Sequence, residues 1–347
     1  MTEISQTTEL RNQDMKHLTM LCASVTLFIG ISAHATGNVT DAPVSRSTST
    51  PQSATVPANS HVFKTSDGVR LWYREAGQPN GTPVVFLHGG PGEGSQTFAR
   101  YAGPELEPHL RMIYLDQRGS GRSQRPKNSS AYSINRMVQD IEELRLQLGV
   151  QRIDIIGHSF GTILGLEYAA RYPEHVSRVV LAAAANDMPA LMDSQCKRLE
   201  SSDPVAYTRA VKAVAGVTFP RCDPFEAYQD QREQIYIDRN MFPDIRVARM
   251  VEDTDSADGL GNSGESFQAL LNKGLTRYRF VKFARISMPV LIIAGELDFQ
   301  TPVEVQRALA RNLQQAALLI YPGSGHFMFV EQPTRFGRDV SNFLAEQ

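Results

Sequence analysis

The sequence is poor in cysteine and tryptophan, nearly neutral in net charge, and without an apolar run long enough to span a bilayer. Three cysteines in 347 residues are too few for a disulfide-built scaffold or a four-thiolate zinc site. The 35 lysines and arginines against 37 aspartates and glutamates leave a net charge of -2, so no bulk positive field exists to hold nucleic acid. Apolar stretches stay short of the roughly 20 residues of a membrane-spanning helix. With 25 glycines and 19 prolines the chain is neither collagen-like nor wholly disordered. What is present is an ordinary globular balance, 41% hydrophobic and 21% charged. The length alone would accommodate two domains of roughly 150 residues.

The first sixty residues do not read as part of the fold. Residues 18–32 (LTMLCASVTLFIGIS) form a short apolar stretch. Lys16 and His17 precede it, and Ala33-His34-Ala35 follows it. A positive flank, a short apolar core and a small-residue exit describe a secretory signal peptide over residues 1–35, cleaved after Ala35. Met15 is a natural start for such a segment. Residues 36–60, rich in Ser, Thr, Pro and Ala, are expected to be a disordered linker, since they cannot bury enough surface to order themselves. The expected location is periplasmic or secreted, with no stable membrane insertion after cleavage. Export removes Cys22 and leaves Cys196 and Cys222, which either form a bridge or remain two buried thiols.

From His61 onward strand and helix patterns alternate. Residues 61–77 read as two strands around Ser66-Asp67-Gly68. Short apolar runs follow at 83–88, 111–116, 152–157, 176–184, 289–295 and 316–321. Such runs suit strands buried on both faces. Helical patterns lie between them at 133–150, 160–173, 302–313 and 335–346. The predicted fold class is α/β, a mostly parallel sheet with helices on both faces. Residues 61–185 and 286–347 form its core. The stretch 186–285 has no buried-strand run, is mostly helical in pattern, and reads as an inserted cap.

Chemistry is concentrated in a few loops. Gly157-His158-Ser159-Phe160-Gly161 lies where an apolar run meets a helical pattern. Glycines two residues either side of Ser159 allow a sharp turn that lifts the hydroxyl above the sheet at a helix N-terminus. A serine nucleophile needs a base. Of the eight histidines, His17 and His34 lie in the leader and His61 precedes the first strand. His88 shapes a glycine loop, His109 and His175 sit away from strand C-terminal ends, and His158 should point to the opposite side from Ser159. His326, in Gly323-Ser324-Gly325-His326 beyond the last strand, is the expected base. Asp298, at the same sheet edge, is the expected orienting carboxylate, with Glu296 as the alternative. Asp116 more naturally braces the loop of Arg118, whose side chain either pairs with Asp116 or reaches the cleft. The oxyanion would be held by the Phe160 amide and by the loop after 83–88, through Gly90 or Gly89. No metal or cofactor is called for.

Taken together, these residues resemble the proline iminopeptidase branch of the α/β-hydrolases. His88-Gly89-Gly90-Pro91-Gly92, the string DQRGSGRS at 116–123, G-x-S-x-G at 157–161, a late Asp followed by Pro302, and Gly-x-Gly-His at 323–326 match in order and spacing. The resemblance covers about 61–185 and 286–347. It implies an eight-stranded core, a helical cap, no metal, and release of an N-terminal residue such as proline from short peptides. The sequence departs from the branch where specificity lies. Phe160 stands where the branch often has Trp, and Trp72, the only tryptophan, is in an early strand. The acid loop reads Gly295-Glu296-Leu297-Asp298 rather than the Gly-Arg-Tyr-Asp type. An aminopeptidase of this branch holds the substrate amine with cap carboxylates. The cap here offers Glu200, Glu226, Glu233, Asp238 and Asp244, with Glu233 the favoured position beside Ile235 and Tyr236.

The expected function is therefore a serine hydrolase with a Ser159–His326–Asp298 triad acting on a short peptide or small molecule. An ester or lactone hydrolase on the same triad is the enzymatic alternative. A non-catalytic ligand-binding homologue is the alternative of a different class. A nucleotide-binding protein is not supported, because neither G-x-G-x-x-G after the first strand nor a P-loop string occurs.

Overall fold

The computed structural model describes residues 57–215, 220–224, 241–257, 260 and 264–345. The expected signal peptide and linker as far as residue 56 lie outside these residues. β1 (Ser60–Lys64) and β2 (Arg70–Gly77) form an antiparallel hairpin at one sheet edge. β3 (Pro83–Leu87), β4 (Arg111–Leu115), β5 (Ile153–His158), β6 (Val176–Ala182), β7 (Val290–Gly295) and β8 (Ala316–Tyr321) complete an eight-stranded sheet. Its order is β1-β2-β4-β3-β5-β6-β7-β8, antiparallel as far as the β2–β4 pair and parallel beyond.

Among the described residues the α-helices, in chain order, are α1 (Gln96–Tyr101), α2 (Gly103–Leu106), α3 (Ile134–Gln147), α4 (Phe160–Arg171), α5 (Met188–Ser202), α6 (Pro204–Ala213), α7 (Ile245–Ala257), α8 (Glu265–Asn272), α9 (Val303–Asn312), α10 (Met328–Glu331) and α11 (Pro333–Ala345). Strand residues alternate between two apolar clusters, as a period of two requires. Val85, Leu87, Ile155 and Ile292 meet Ile141 of α3, Leu164 of α4 and Leu309 of α9. Val84, Phe86, Ile156 and Ile293 meet Phe98 of α1, Leu106 of α2 and Phe336 of α11. Strands β3, β5 and β7 are buried at every position, which is why they read as unbroken apolar runs.

Helices α5 to α8 lie between β6 and β7. Among the described residues the only pairing there outside the named strands is the single bridge Asp187–Arg279. Cys196 on α5 is joined to Cys222 by a disulfide, with Cα atoms 6.0 Å apart. The bridge packs with Leu199, Ala206, Ala210 and Phe299 in a small apolar cluster of its own. Further along, Leu270, Leu271, Leu275 and Phe280 share the cluster of the core helices, so this end of the inserted stretch is packed into the main core.

Candidate active site

The C-terminal ends of β3, β5, β7 and β8 carry the loops of His88, Ser159, Asp298 and His326. Ser159 joins β5 to α4 with φ 51° and ψ -119°. A side-chain-bearing residue in that region carries strain of about 1–3 kcal/mol. The sharp turn is possible because its flanks are glycine. A Cβ on Gly161 would collide with the Leu87 carbonyl, and one on Gly157 would lie 2.7 Å from the Gly161 carbonyl. The serine side chain is half-exposed while its neighbours are buried. The Phe160 amide opens α4 and has no intrahelical acceptor.

The glycine loop after β3 runs over this serine. His88 is buried, and burial pushes its imidazole below the usual range. Its Nδ1–H donates to the Gly89 carbonyl at 3.0 Å, and its Nε2 accepts from the Gln117 amide at 3.0 Å. The Gln117 side chain donates back to the His88 carbonyl at 2.9 Å. With both ring nitrogens occupied, His88 ties the glycine loop to the 116–123 turn and is unavailable as a base. A Cβ on Gly89 would lie 3.1 Å from Ser159 Cβ, closer than ordinary van der Waals contact, so a side chain here would push the loop and the serine apart. Gly90 follows with φ 104° and is exposed.

The late loops form the other half. Asp298 is fully buried, and its Oδ1 accepts from the amides of Gln300 at 2.8 Å and Thr301 at 3.0 Å. Its Oδ2 accepts from the Thr301 hydroxyl and from His326 Nδ1–H at 2.9 Å. Burial works against the charge on Asp298, but the His326 ring and the Thr301 donors hold its carboxyl below the usual range. Burial likewise opposes protonation of His326, yet Asp298 raises it above an ordinary histidine. Nδ1 faces Asp298, so Nε2 remains as the basic nitrogen. Among the described residues no hydrogen bond joins Ser159 Oγ to His326, and catalytic contacts of this kind commonly tighten only when substrate binds.

Several expectations need correction. His158 does not point away from the site. Its Nε2–H donates to the His326 carbonyl at 3.0 Å, and the two rings lie 4.9 Å apart. Burial and the adjacent His326 push His158 down to about 3, so it is a neutral prop under the His326 loop. Arg118 neither pairs with Asp116 nor reaches the cleft. It is buried against Asp140 and Asp67. Asp116 instead accepts from Ser95 and from the Arg122 amide, which still holds the same turn. Glu296 accepts from the Gly323 amide at 3.1 Å and makes no contact with His326. Glu226, Glu233 and Asp238 lie outside the described residues. Glu200 is paired with Arg221 and Asp244 with Arg246. Two acids that sequence reasoning passed over stand close to the site. Glu331 accepts from the Gly325 amide at 2.8 Å, and Glu93 Oε2 would lie 3.0 Å from a Gly89 Cβ. The visible signal for Glu93 was a charged residue inside a glycine loop, at the end of His88-Gly89-Gly90-Pro91-Gly92.

A family model described as the alpha/beta hydrolase fold matches residues 82–333. The chain belongs to that family. By that membership it is a hydrolase, with proline iminopeptidases among its relatives and esterases among the structures that share its fold. A Bacillus subtilis (strain 168) protein provisionally named 2-succinyl-6-hydroxy-2,4-cyclohexadiene-1-carboxylate synthase is 30% identical over 281 residues, covering 80% of this chain and 96% of its own. A proline iminopeptidase of Neisseria meningitidis serogroup B (strain ATCC BAA-335 / MC58) is 27% identical over 302 residues, covering 79% and 92%. In structure, a proline iminopeptidase-related protein from Thermus thermophilus superposes with TM-score 0.67 at 24% identity, over 82% of this chain and 97% of that one. An esterase from Exiguobacterium antarcticum reaches TM-score 0.62 at 20% identity, over 82% and 99%. Both structural likenesses speak for the fold. Among the described residues of this alpha/beta hydrolase, no cluster of His, Cys, Asp and Glu could hold a metal ion, and no helix is long and apolar enough to cross a membrane.

Proposed function

We propose that this hydrolase is an exported serine aminopeptidase that releases an N-terminal residue such as proline from short peptides. The observation that carries the catalytic part is the 2.9 Å pair of His326 Nδ1 and buried Asp298 beside the glycine-flanked turn of Ser159. In this reading Ser159 Oγ attacks the acyl carbon and His326 Nε2 takes its proton. The oxyanion is held by the Phe160 amide and by Gly90 or Gly89. His326 then returns the proton to the leaving amine, and water repeats the cycle on the acyl-enzyme. Asp298 keeps the imidazole in the tautomer that exposes Nε2 and offsets the charge it acquires.

The peptide preference is supported by the His88–Gly92 and 116–123 strings and by the iminopeptidase relatives. The esterase neighbours favour ester hydrolysis as the second reading. A substrate panel separates the two. Proline p-nitroanilide, N-acetylproline p-nitroanilide and p-nitrophenyl acetate are compared on wild type and on Ser159→Ala. Cleavage of the free-amine anilide well above the acetylated one, lost in the variant, is the expected result. Turnover of the ester alone would establish the second reading. A fluorophosphonate that failed to label Ser159 in folded protein would overturn both.

Export rests on the 1–35 pattern and gains support from the Cys196–Cys222 bridge, since such bonds persist in oxidising compartments. N-terminal sequencing of protein recovered outside the cytoplasm should begin just after Ala35. Retention of residues upstream of Met15 would sink the signal-peptide reading.

A further inference from the structure

We propose that Glu93, in the glycine loop, is the carboxylate that receives the substrate's free amine; this rests on the aminopeptidase reading and names the residue behind it. One point in space carries the geometry. The Cβ position of Gly89 lies 3.0 Å from Glu93 Oε2 and 3.1 Å from Ser159 Cβ. Glu93 is half-buried, and its charge is also felt at His326, whose protonated form it favours. The carboxylate therefore stands at the reaction centre, and not on the outer surface of the loop.

An N-terminal amine is tied to the scissile carbonyl by a single Cα. Its nitrogen is about 2.5 Å from the carbonyl carbon, on ordinary bond lengths. A charge-assisted N–H···O bond adds about 2.8 Å. The accepting oxygen must then sit within roughly 5 Å of the carbon that Ser159 attacks. The two distances from the Gly89 Cβ position, 3.0 and 3.1 Å, keep Glu93 Oε2 in the neighbourhood of Ser159, so a carboxylate in this loop can reach the amine without help from the cap. It accepts several hydrogen bonds at once, so other donors on Glu93 do not prevent it from taking an ammonium.

The same placement has a cost that sets specificity. The transition state develops negative charge on the carbonyl oxygen, beside the carboxylate. An ammonium between them offsets the repulsion, whereas an acetylated or amine-free substrate leaves it uncompensated. Glu93 therefore favours free-amine substrates and also disfavours the others.

Glu93→Gln tests both halves, with rates taken at a pH above the His326 inflection so that its effect on the base does not enter. The expected kcat/KM for proline p-nitroanilide falls about tenfold to hundredfold, mostly through KM. The rates on N-acetylproline p-nitroanilide and p-nitrophenyl acetate rise, and Glu93→Asp restores part of the free-amine preference. A merely structural role would lower all three substrates together, and that result overturns the proposal. So does an unchanged preference for the free amine in Glu93→Gln, which leaves the aminopeptidase reading standing. Wild-type protein that shows no preference for the free amine overturns the reading and the proposal together.

Discussion

Around Arg118 every donor has an acceptor, whereas around His326 one ring nitrogen is left over. Arg118 Nε and Nη2 clasp Asp140 at 2.6 and 2.7 Å. Its Nη1 and Nη2 reach Asp67 at 2.9 and 3.2 Å, and Nη1 also donates to the Ala131 carbonyl at 3.0 Å. A guanidinium has five N–H groups, and this set uses all of them. Arg136 closes the network by joining Asp140 at 2.9 Å and Glu143 at 2.6 Å. The hydrogen bond from Arg118 holds the Asp67 carboxyl well below the usual range. The Asp298–His326 pair is equally buried, but only Nδ1 of the ring is satisfied by it. A saturated network can hold a loop and do nothing else. A network with one unfilled ring nitrogen has a site left for a proton.

The largest effect should come from breaking the open network. Asp298→Asn keeps the shape of the side chain but offers an amide where Nδ1–H expects a carboxylate. The imidazole then adopts the wrong tautomer, and kcat is expected to fall about a thousandfold to ten-thousandfold. In wild type, the raised His326 places the rise of kcat/KM with pH above the ordinary histidine midpoint of about 6.5, because only the neutral ring is a base. In the variant, whatever activity remains should have its midpoint moved to lower pH. Stopped assays across pH 5 to 9 check both, and a loss of less than about tenfold would remove Asp298 from the mechanism.

The closed network should respond in the opposite currency. Arg118→Ala takes two charge-assisted bonds from buried Asp140 and leaves Arg136 as its remaining partner, so it is expected to cost about 3 kcal/mol of stability, the lower end for a broken buried pair. The rate per folded molecule should stay within about tenfold, since Arg118 touches neither Ser159 nor His326. Urea unfolding beside active-site titration measures the two separately. A stable but inactive variant would erase the distinction drawn between the networks.

The parts of this arrangement differ in how far the sequence discloses them. Gly157 is legible because the clash it avoids is local, with Gly161 and Thr162 of its own turn, whereas Gly161 avoids the Leu87 and His88 carbonyls of a distant strand and is legible only through the spacing of the two glycines about Ser159. The sheet is legible because β3, β5 and β7 are buried throughout and alternate between two clusters. Asp298 and His326 stand at the ends of such strands, so their nearness follows from the strand order. Glu296 is separated from the role by loop geometry alone: its amide bonds the Tyr321 carbonyl and its carboxylate turns to Gly323. Arg118 shows the limit. Its partners lie 22 and 51 residues away, and any acid in the chain could have filled either place. His158 keeps the strand alternation and packs on Phe327 and Phe329, on the face of Ile156; strand order does not disclose that the His326 loop folds over that same face.

The smallest effect, and the sharpest probe of the open network, lies at Glu331. Burial is the main cause that pushes its carboxyl up to about 7, with Asp298 adding repulsion and the Gly325 amide opposing. Its Oε2 accepts from that amide at 2.8 Å, while its buried Oε1 has no hydrogen bond among the described residues. Glu331 thus acquires its charge as pH rises through about 7, and that charge favours the protonated His326 ring. Glu331→Gln can keep the bond from Gly325 while removing the charge. The midpoint of the kcat/KM profile should then move to lower pH, with the plateau little changed. Stability supplies an independent sign. The folded carboxyl titrates above its usual value, so its contribution is fully present below pH 4.5 and is lost as pH rises through about 7. The variant should lose that component of the pH dependence in chemical unfolding measured between those limits. If the stability slope flattens but the activity midpoint stays in place, Glu331 is a prop for the Gly325 loop, and the charges that tune His326 are those of Asp298 and Glu93.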